Sequence, residues 1–391
     1  MESNVRSISI GNKTRSSSGL TAGLGSPIRV IANLGVTPGA TTEDAELEKA
    51  RVVLDAGADI VADHSLHDEY RRFLERLLAT AHAPVSTVPL YGVCVRARSR
   101  NGSVVKFEPD DILDEVLFQA ELGVDVMTIH PSLDSFSLGR MRGSRRAIPL
   151  PSRGGAFVAA YMMETGRANP LREIHSSILE IAKKHDIVLS YGTTFRPGSV
   201  EDTLDELHLW EIRQQSHLIS EALDQGVQVI AESIGHARPD MIPLIIGLQK
   251  HTCQGVPIRP LPLCTDAAAG HDHVAGAIAG ALCALAGADL LTAMTRAEHL
   301  GLPRLADLED GVKAFRIAAH IGNLARGIGH DREQAVSEAR RDRDWGEVFS
   351  NVLFPDDAKR IRGSLPRSNE EMCSMCGELC ALRIIEAYLK K

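Results

Sequence analysis

The chain has 391 residues, 44% apolar and 24% charged, and its 43 basic and 51 acidic residues leave a net charge of −8. This is ordinary globular composition, and an acidic balance spread along the chain argues against a basic face for nucleic acid or an anionic membrane. No stretch reaches the roughly 18 uninterrupted apolar residues of a membrane span.

The start, Met1–Ser26, is polar and rich in Ser and Gly. It lacks the apolar core of a secretory signal, so a flexible arm over residues 1–27 and a cytoplasmic location are expected, with an organelle transit peptide as the weaker alternative. Beyond it, short apolar, β-branched runs predict strands at Ile28–Gly35, Asp59–Ser65, Val85–Tyr91, Val124–His130, Ile187–Thr193, Val227–Ser233, Arg259–Thr265 and Asp289–Thr295. Helical patterns fall between them, over Thr41–Ala56, Glu69–Ala81, Asp110–Leu122, Pro170–Lys184, Glu201–Asp224, Pro239–Lys250 and His271–Ala286. Junctions such as Ala56-Gly57-Ala58-Asp59 and Ala286-Gly287-Ala288-Asp289 end a helix on glycine and open a near-continuous apolar strand, as buried parallel sheets do. Eight such units predict an α/β fold, a (β/α)8 TIM barrel over residues 28–305. An open doubly wound sheet shares the alternation, but no Gly-x-Gly-x-x-Gly opens the first helix. Residues 131–169 form the longest connection and read as a functional insertion or lid. After Leu302 the pattern turns helical over Gly311–Gly327, Asp331–Leu353 and Asp356–Leu365, giving a C-terminal helical domain, 306–391, with a cysteine loop at 373–380.

In such a barrel the C-terminal strand ends share one mouth, where active sites lie. Here those ends carry Asn33; Asp63, His64 and Ser65; Tyr91; Met127 and His130; Ser190, Thr193 and Arg196; Glu232 and His236; Thr265 and Asp266; and Glu298 and His299. Packing alone does not call for a polar residue at the end of every strand. His236 and His299 lie close to carboxylates, which can accept a ring N–H and fix the tautomer of a ligating imidazole, but spacing alone leaves them open between a shared metal and ordinary loop histidines. His271 and His273, two apart at a helix start, are expected to face different ways. Ser152-Arg153-Gly154-Gly155 and Arg196-Pro197-Gly198-Ser199 have the glycine and arginine content of anion sites, which favours a phosphorylated small-molecule substrate. The run Arg140, Arg142, Arg145 and Arg146 either adds to that or is a solvated loop.

Of seven cysteines, Cys373, Cys376 and Cys380 fall within eight residues, which favours metal over disulfides in a chain without a secretory signal. Three thiolates hold three irons of a 4Fe–4S cluster and leave the fourth open. A zinc site needs a fourth ligand, and no Cys or His follows Cys380, so a zinc knuckle would have to be completed from elsewhere.

Cys373-Ser374-Met375-Cys376-Gly377, Glu298-His299-Leu300-Gly301-Leu302-Pro303, Met127-Thr128-Ile129-His130, Ser152-Arg153-Gly154-Gly155 and Arg196-Pro197-Gly198-Ser199 occur in the order seen in the phosphomethylpyrimidine synthase (ThiC) family, which the chain resembles from about Ile28 to its end. The resemblance implies a radical S-adenosylmethionine lyase that rearranges aminoimidazole ribotide or a related phosphorylated substrate. It implies a 4Fe–4S cluster on Cys373, Cys376 and Cys380 and a second, divalent metal (zinc or iron) on His236 and His299. The implied substrate pocket is Asn33, Tyr91, His130, Ser152, Arg153, Gly154, Arg196 and Glu232, with Glu232 also a candidate for moving protons. A homodimer and an external one-electron donor are implied as well. In the implied chemistry, a reduced cluster cleaves S-adenosylmethionine to methionine and a 5′-deoxyadenosyl radical, which takes hydrogen from the substrate; the protein positions and shields.

The chain also departs from the family. The family's cysteine spacing is C-x2-C-x4-C, one residue longer at the second interval. An acidic residue and a glycine precede its Leu-Arg-Pro-Gly, where this chain has Thr193-Thr194-Phe195. Its Gly-Pro-Gly-His becomes Ser233-Ile234-Gly235-His236, and its Pro-Gly-Tyr-Asp-His becomes Ala269-Gly270-His271-Asp272-His273. The family's long N-terminal domain has no counterpart. Loss of a pocket carboxylate at 193 and a phenol at 271 points to a divergent paralogue whose product need not be the thiamin pyrimidine. A true thiamin-pyrimidine synthase and a catalytically inactive cluster- or zinc-binding paralogue are the alternatives.

Overall fold

The computed structural model of the protein describes residues 6–15, 19–366 and 371–389. Its strands are β1 (Ser7–Ile10), β2 (Leu20–Gly23), β3 (Arg29–Leu34), β4 (Ile60–Asp63), β5 (Val85–Thr87), β6 (Val126–Ile129), β7 (Val188–Tyr191), β8 (Val229–Glu232), β9 (Ile258–Arg259) and β10 (Leu290–Thr292). β3 to β10 form one parallel sheet in the order β10-β3-β4-β5-β6-β7-β8-β9. The seam between β9 and β10 is bridged by the N–H of Asp289 donating to Ile258 O (3.0 Å) and that of Thr292 to Pro260 O (3.3 Å). The result is a nearly closed eight-strand barrel ringed by helices, as the alternation predicts.

All eight barrel strands are shorter than the predicted runs, and two of them are cut short by proline. β5 ends at Thr87, since Pro89 occupies the first turn of an unforeseen helix, Pro89–Asn101, and Tyr91 sits on that helix. β9 stops at Arg259, since Pro260 and Pro262 have no N–H to give the ladder. Extended pairing nevertheless resumes beyond it, with Leu263 bridging His236.

The expected flexible arm is a hairpin in its described part. β1 and β2 pair antiparallel, and Ile8, Ile10 and Ala22 pack against Ile31, Ile60, Ala62, Val126, Val188, Ile230 and Leu290, which fill the barrel interior. Burying this apolar surface, at about 25 cal/mol per Å², favours the docked hairpin. The remaining arm residues, 1–5 and 16–18, lie outside the described residues. The chain divides into compact units 1–322 and 323–391 rather than at 305/306, because the helix Leu305–Ala325 runs on past the expected boundary. The second unit contains the helices His330–Asp342, Trp345–Asn351, Pro355–Gly363 and Ala381–Leu389. No helix among the described residues is long and apolar enough to cross a membrane.

Candidate active site

Side chains alternate along a strand, so the inward residues two positions beyond the apolar interior layer form the next layer up. Apart from Ala62 (β4), that layer is polar: Asn33 (β3), Thr128 (β6), Ser190 (β7), Glu232 (β8) and Thr292 (β10), with Arg259 opposite Glu232 in register. Arg259, 2% exposed, reaches across it. Its Nη2 lies 3.2 Å from Glu232 Oε1, its Nε donates to Thr292 Oγ1 at 3.2 Å, and its Nη1 reaches Thr128 and Ser190 only at 3.4 and 3.5 Å. The other Glu232 oxygen accepts the N–H of Thr193 (3.1 Å). Burial raises the cost of ionising Glu232, but Arg259 and Arg196 outweigh it and hold the carboxyl below its usual range.

Above this floor opens a cavity of about 460 Å³, whose walls include Asn33, His64, Tyr91, His130, Ser152, Arg153, Arg196, Glu232, Arg259, His236, Glu298 and His299. Ser152 caps the helix Arg153–Thr165, its Oγ accepting Gly155 N–H at 3.2 Å, so a helix N-terminus with its free N–H groups and partial positive charge borders the cavity beside Arg153. Gly154 does not itself line the cavity; it gives His130 room. A Cβ at 154 would lie 2.4 Å from His130 Cε1, and one at Gly192 would lie 2.6 Å from its Nε2. Asn169 Nδ2 ties down the His130 and Leu133 carbonyls (3.1 and 3.0 Å). His130 Nδ1 and Asn33 Oδ1 are buried without a hydrogen-bond partner. Burial drives His130 down to about 4 and His64 to about 3, with the positive charge of Arg153 and Arg259 adding to the fall at His64. Both rings are neutral at pH 7. Burial raises the Tyr91 phenol and the Glu298 carboxyl above their usual ranges.

Glu211, on the helix Glu206–Asp224, clamps the loop that carries Arg196. Its carboxylate accepts Thr194 N–H (2.6 Å), Phe195 N–H (2.5 Å) and the Ser132 hydroxyl (2.6 Å). Arg196 donates to Thr193 O at 2.7 Å. The Thr193 hydroxyl is turned to Ser233 O (3.2 Å), and Thr193 and His271 are both absent from the cavity wall.

His236 and His299 meet at the rim, ring centroids 4.9 Å apart, with His299 in the left-handed region at φ 60°. A non-glycine residue held there costs energy and often marks a functional site. His236 Nδ1 lies 2.6 Å from Asp266 Oδ1, and Asp266 Oδ2 accepts the Ser199 hydroxyl (2.8 Å) and Val200 N–H (3.0 Å). Asp266 is held below the usual carboxylate range, its partners outweighing burial, so it is an acceptor and Nδ1 carries the proton. That leaves Nε2 as the available lone pair of His236, the arrangement of a metal-ligating histidine. Among the described residues no group of three or more His, Cys, Asp or Glu side chains is arranged to hold a metal ion.

In the second unit, Cys373, Cys376 and Cys380 flank a short 3-10 turn, Gly377–Leu379. Backbone N–H groups of Cys376 and Met375 lower the Cys373 thiol, which favours the thiolate that metal ligation needs. Trp345 Nε1 donates to Glu371 O (2.9 Å) and Arg343 pairs with Glu386 (2.6 Å), holding the chain on both sides of the loop.

The cavity thus brings together Asn33, Tyr91, His130, Ser152, Arg153, Arg196, Glu232, His236 and His299 from the sequence reading. Other expectations fare differently. Arg140 and Arg146 pair with Glu206 (2.5 Å) and Asp205 (2.8 Å), and none of the four arginines of the basic run lines the cavity. Ser199 supports Asp266 rather than a free anion site. The His271 and His273 rings lie side by side, centroids 6.3 Å apart and 28° between planes. Arg259 and Glu211 were missed. An arginine inside the apolar run Val256-Pro257-Ile258-Arg259 was the available signal for the first; Glu211 sits in an ordinary helix and gave none.

Comparison with known proteins bears on this site. The model of the radical SAM ThiC family matches residues 4–387. A phosphomethylpyrimidine synthase of Caldanaerobacter subterraneus subsp. tengcongensis is 40% identical over 370 residues, 94% of this chain and 86% of that protein. One from Methanopyrus kandleri is 40% identical over 372 residues, 94% and 87% of the two chains, and one from Desulforudis audaxviator is 38% identical over 372 residues, 94% and 86%.

Proposed function

The chain belongs to the radical SAM ThiC family, and on that premise we propose that it is a radical S-adenosylmethionine carbon–carbon lyase acting on aminoimidazole ribotide or a closely related phosphorylated heterocycle. One observation carries the reading. A single cavity gathers the implied pocket residues other than Gly154, and within it the buried Asn33 Oδ1 and His130 Nδ1 have no partner in the protein. Buried polar atoms without partners are costly, and a polar ligand would relieve them.

The helix N-terminus at Ser152, with Arg153 and Arg196, would take the phosphate. Asn33, Glu232 and Arg259 on the floor would face the heterocycle. Tyr91, its ring under the Arg153 guanidinium at 5.5 Å, would wall one side and limit water. Glu232, kept ionised by Arg259 and Arg196, would accept a proton from a substrate nitrogen or carbon. His130 and His64, neutral at pH 7, would give or accept hydrogen bonds without adding charge. Cys373, Cys376 and Cys380 would hold a 4Fe–4S cluster once the loop draws their sulfurs together, since as described they do not form a three-ligand metal group, and His236 Nε2 with His299 would supply two ligands of a divalent metal. When bound, these groups supply the electron for reductive cleavage of S-adenosylmethionine and an anchor for its methionine end.

The Thr193 hydroxyl is engaged by Ser233 rather than aimed into the cavity, which supports a product other than the thiamin pyrimidine. Anaerobic reconstitution with iron, sulfide, S-adenosylmethionine and a reductant tests the chemistry. 5′-Deoxyadenosine should form, and Cys376→Ser should abolish it; none from the reconstituted wild type would favour an inactive paralogue. Growth of a thiamin-pyrimidine auxotroph on this chain would refute the divergent product and restore the thiamin-pyrimidine synthase reading.

A further inference from the structure

Arg259 is the feature of the cavity that the reading above explains least. A buried guanidinium has five N–H donors and a desolvation cost of several kcal/mol, which only good partners offset. Arg259 has one carboxylate contact, single rather than bidentate, at 3.2 Å. Its two Nη1 contacts, 3.4 and 3.5 Å to Thr128 and Ser190, lie beyond the usual 2.7–3.2 Å. Yet it lines the cavity. Beside it Glu232 is an acceptor, and so is the unpartnered Oδ1 of Asn33.

The floor therefore presents a donor cation next to two acceptors. A heterocycle carrying only an amino group would satisfy Glu232 and Asn33 and leave Arg259 facing carbon. One carrying an amino group beside an oxyanion would satisfy all three. The phosphate has separate partners at the helix N-terminus by Ser152, which belongs to the connection above β6 rather than to the floor layer.

We propose that Arg259 is a specificity-determining residue that reads a carboxylate next to an amino group on the substrate's heterocycle, so that the preferred ligand is a carboxylated amino-heterocyclic ribotide. This rests on the reading of the cavity as a ribotide site. The contact is a charge-assisted hydrogen bond at a buried guanidinium, and a site built for such a group discriminates strongly against the analogue without it.

The test is calorimetric titration of the full-length protein with two probes, 5-aminoimidazole ribotide and its 4-carboxylated derivative, for wild type, Arg259→Gln and Arg259→Lys. Wild type should bind the carboxylated probe at least roughly tenfold more tightly. Arg259→Gln should bring the two affinities within about twofold, and Arg259→Lys, which keeps the charge but not the fork, should retain part of the preference. Circular dichroism checks folding. If Arg259→Gln does not fold, the lysine variant decides, and a preference as large as wild type's refutes the proposal. Equal wild-type affinities, or tighter binding of the uncarboxylated probe, also refute it. Binding of neither probe overturns the ribotide reading itself, and this proposal with it; binding without preference overturns only the proposal.

Discussion

Replacing Asp266 with alanine isolates what orients the histidine pair. The wild-type carboxylate takes the Nδ1 proton of His236 at 2.6 Å and, through its other oxygen, holds Ser199 and Val200 of the Arg196–Ser199 loop. Without it the imidazole is free to rotate and to put its proton on Nε2, the nitrogen that Asp266 leaves unengaged. Loss of such a carboxylate partner usually costs roughly 10–100-fold in metal affinity. The Asp266 side chain is 39% exposed, so water replaces part of what is lost. The expected effect is therefore near the low end, about tenfold, or about 1.4 kcal/mol. The assay is zinc titration against a competing chelator, in a background where Cys373, Cys376 and Cys380 are serine so that only the histidine site reports. His236→Ala sets the floor. Affinity unchanged within twofold in Asp266→Ala, with His236→Ala clearly weaker, would show that the carboxylate does not orient the ligand.

Three further outcomes are expected. Gly154→Ala puts a methyl 2.4 Å from His130 Cε1, so the ring must move; ribotide affinity should fall at least tenfold for a stability loss of about 1–3 kcal/mol, read by calorimetry and thermal melting. Glu211→Ala leaves the Thr194 and Phe195 N–H groups buried without their acceptor, and at about 1–3 kcal/mol each it should lower the melting temperature clearly, with Glu211→Gln intermediate because it keeps one acceptor oxygen. Burial raises Asp63 to about 6 against the Ser65 hydrogen bonds, so between its unfolded pKa near 3.8 and about 6 the folded state binds more protons than the unfolded state, and stability falls as pH rises through that window. The stability of Asp63→Asn relative to wild type should accordingly improve from pH 4 to pH 7, by on the order of 1–3 kcal/mol; a constant difference across that range would contradict a raised Asp63.

Much of the barrel was legible because its signals are local. Glycine after a helix end, then a short apolar run, recurs before β4, β6, β8 and β10, and a buried parallel strand has few other ways to be written. The misplacements were local too. Pro89 starts a helix where apolar content alone extends a strand, and Pro260 ends one. The hairpin of β1 and β2 was illegible for a different reason: its two strands of four residues are too short to show periodicity, and they are held by Ile31, Ile60 and Ile230, remote in the chain.

The cysteine loop, the residues at the mouth and the family motifs could be read from the order of amino acids, because each depends on residue type and short spacing. Tertiary structure decided which of those residues share a wall and which partners they already have. The Arg196–Ser199 segment looked like an anion site, and its Ser199 is bonded to Asp266; Arg146 lay in a run that could have added to it, and is paired with Asp205; Thr193 replaced a pocket carboxylate and turns to Ser233. Arg259 illustrates the physical reason. A charged residue in a strand looks like a surface position until closure of the barrel brings Thr128, Ser190, Glu232 and Thr292, from four other strands, around one guanidinium.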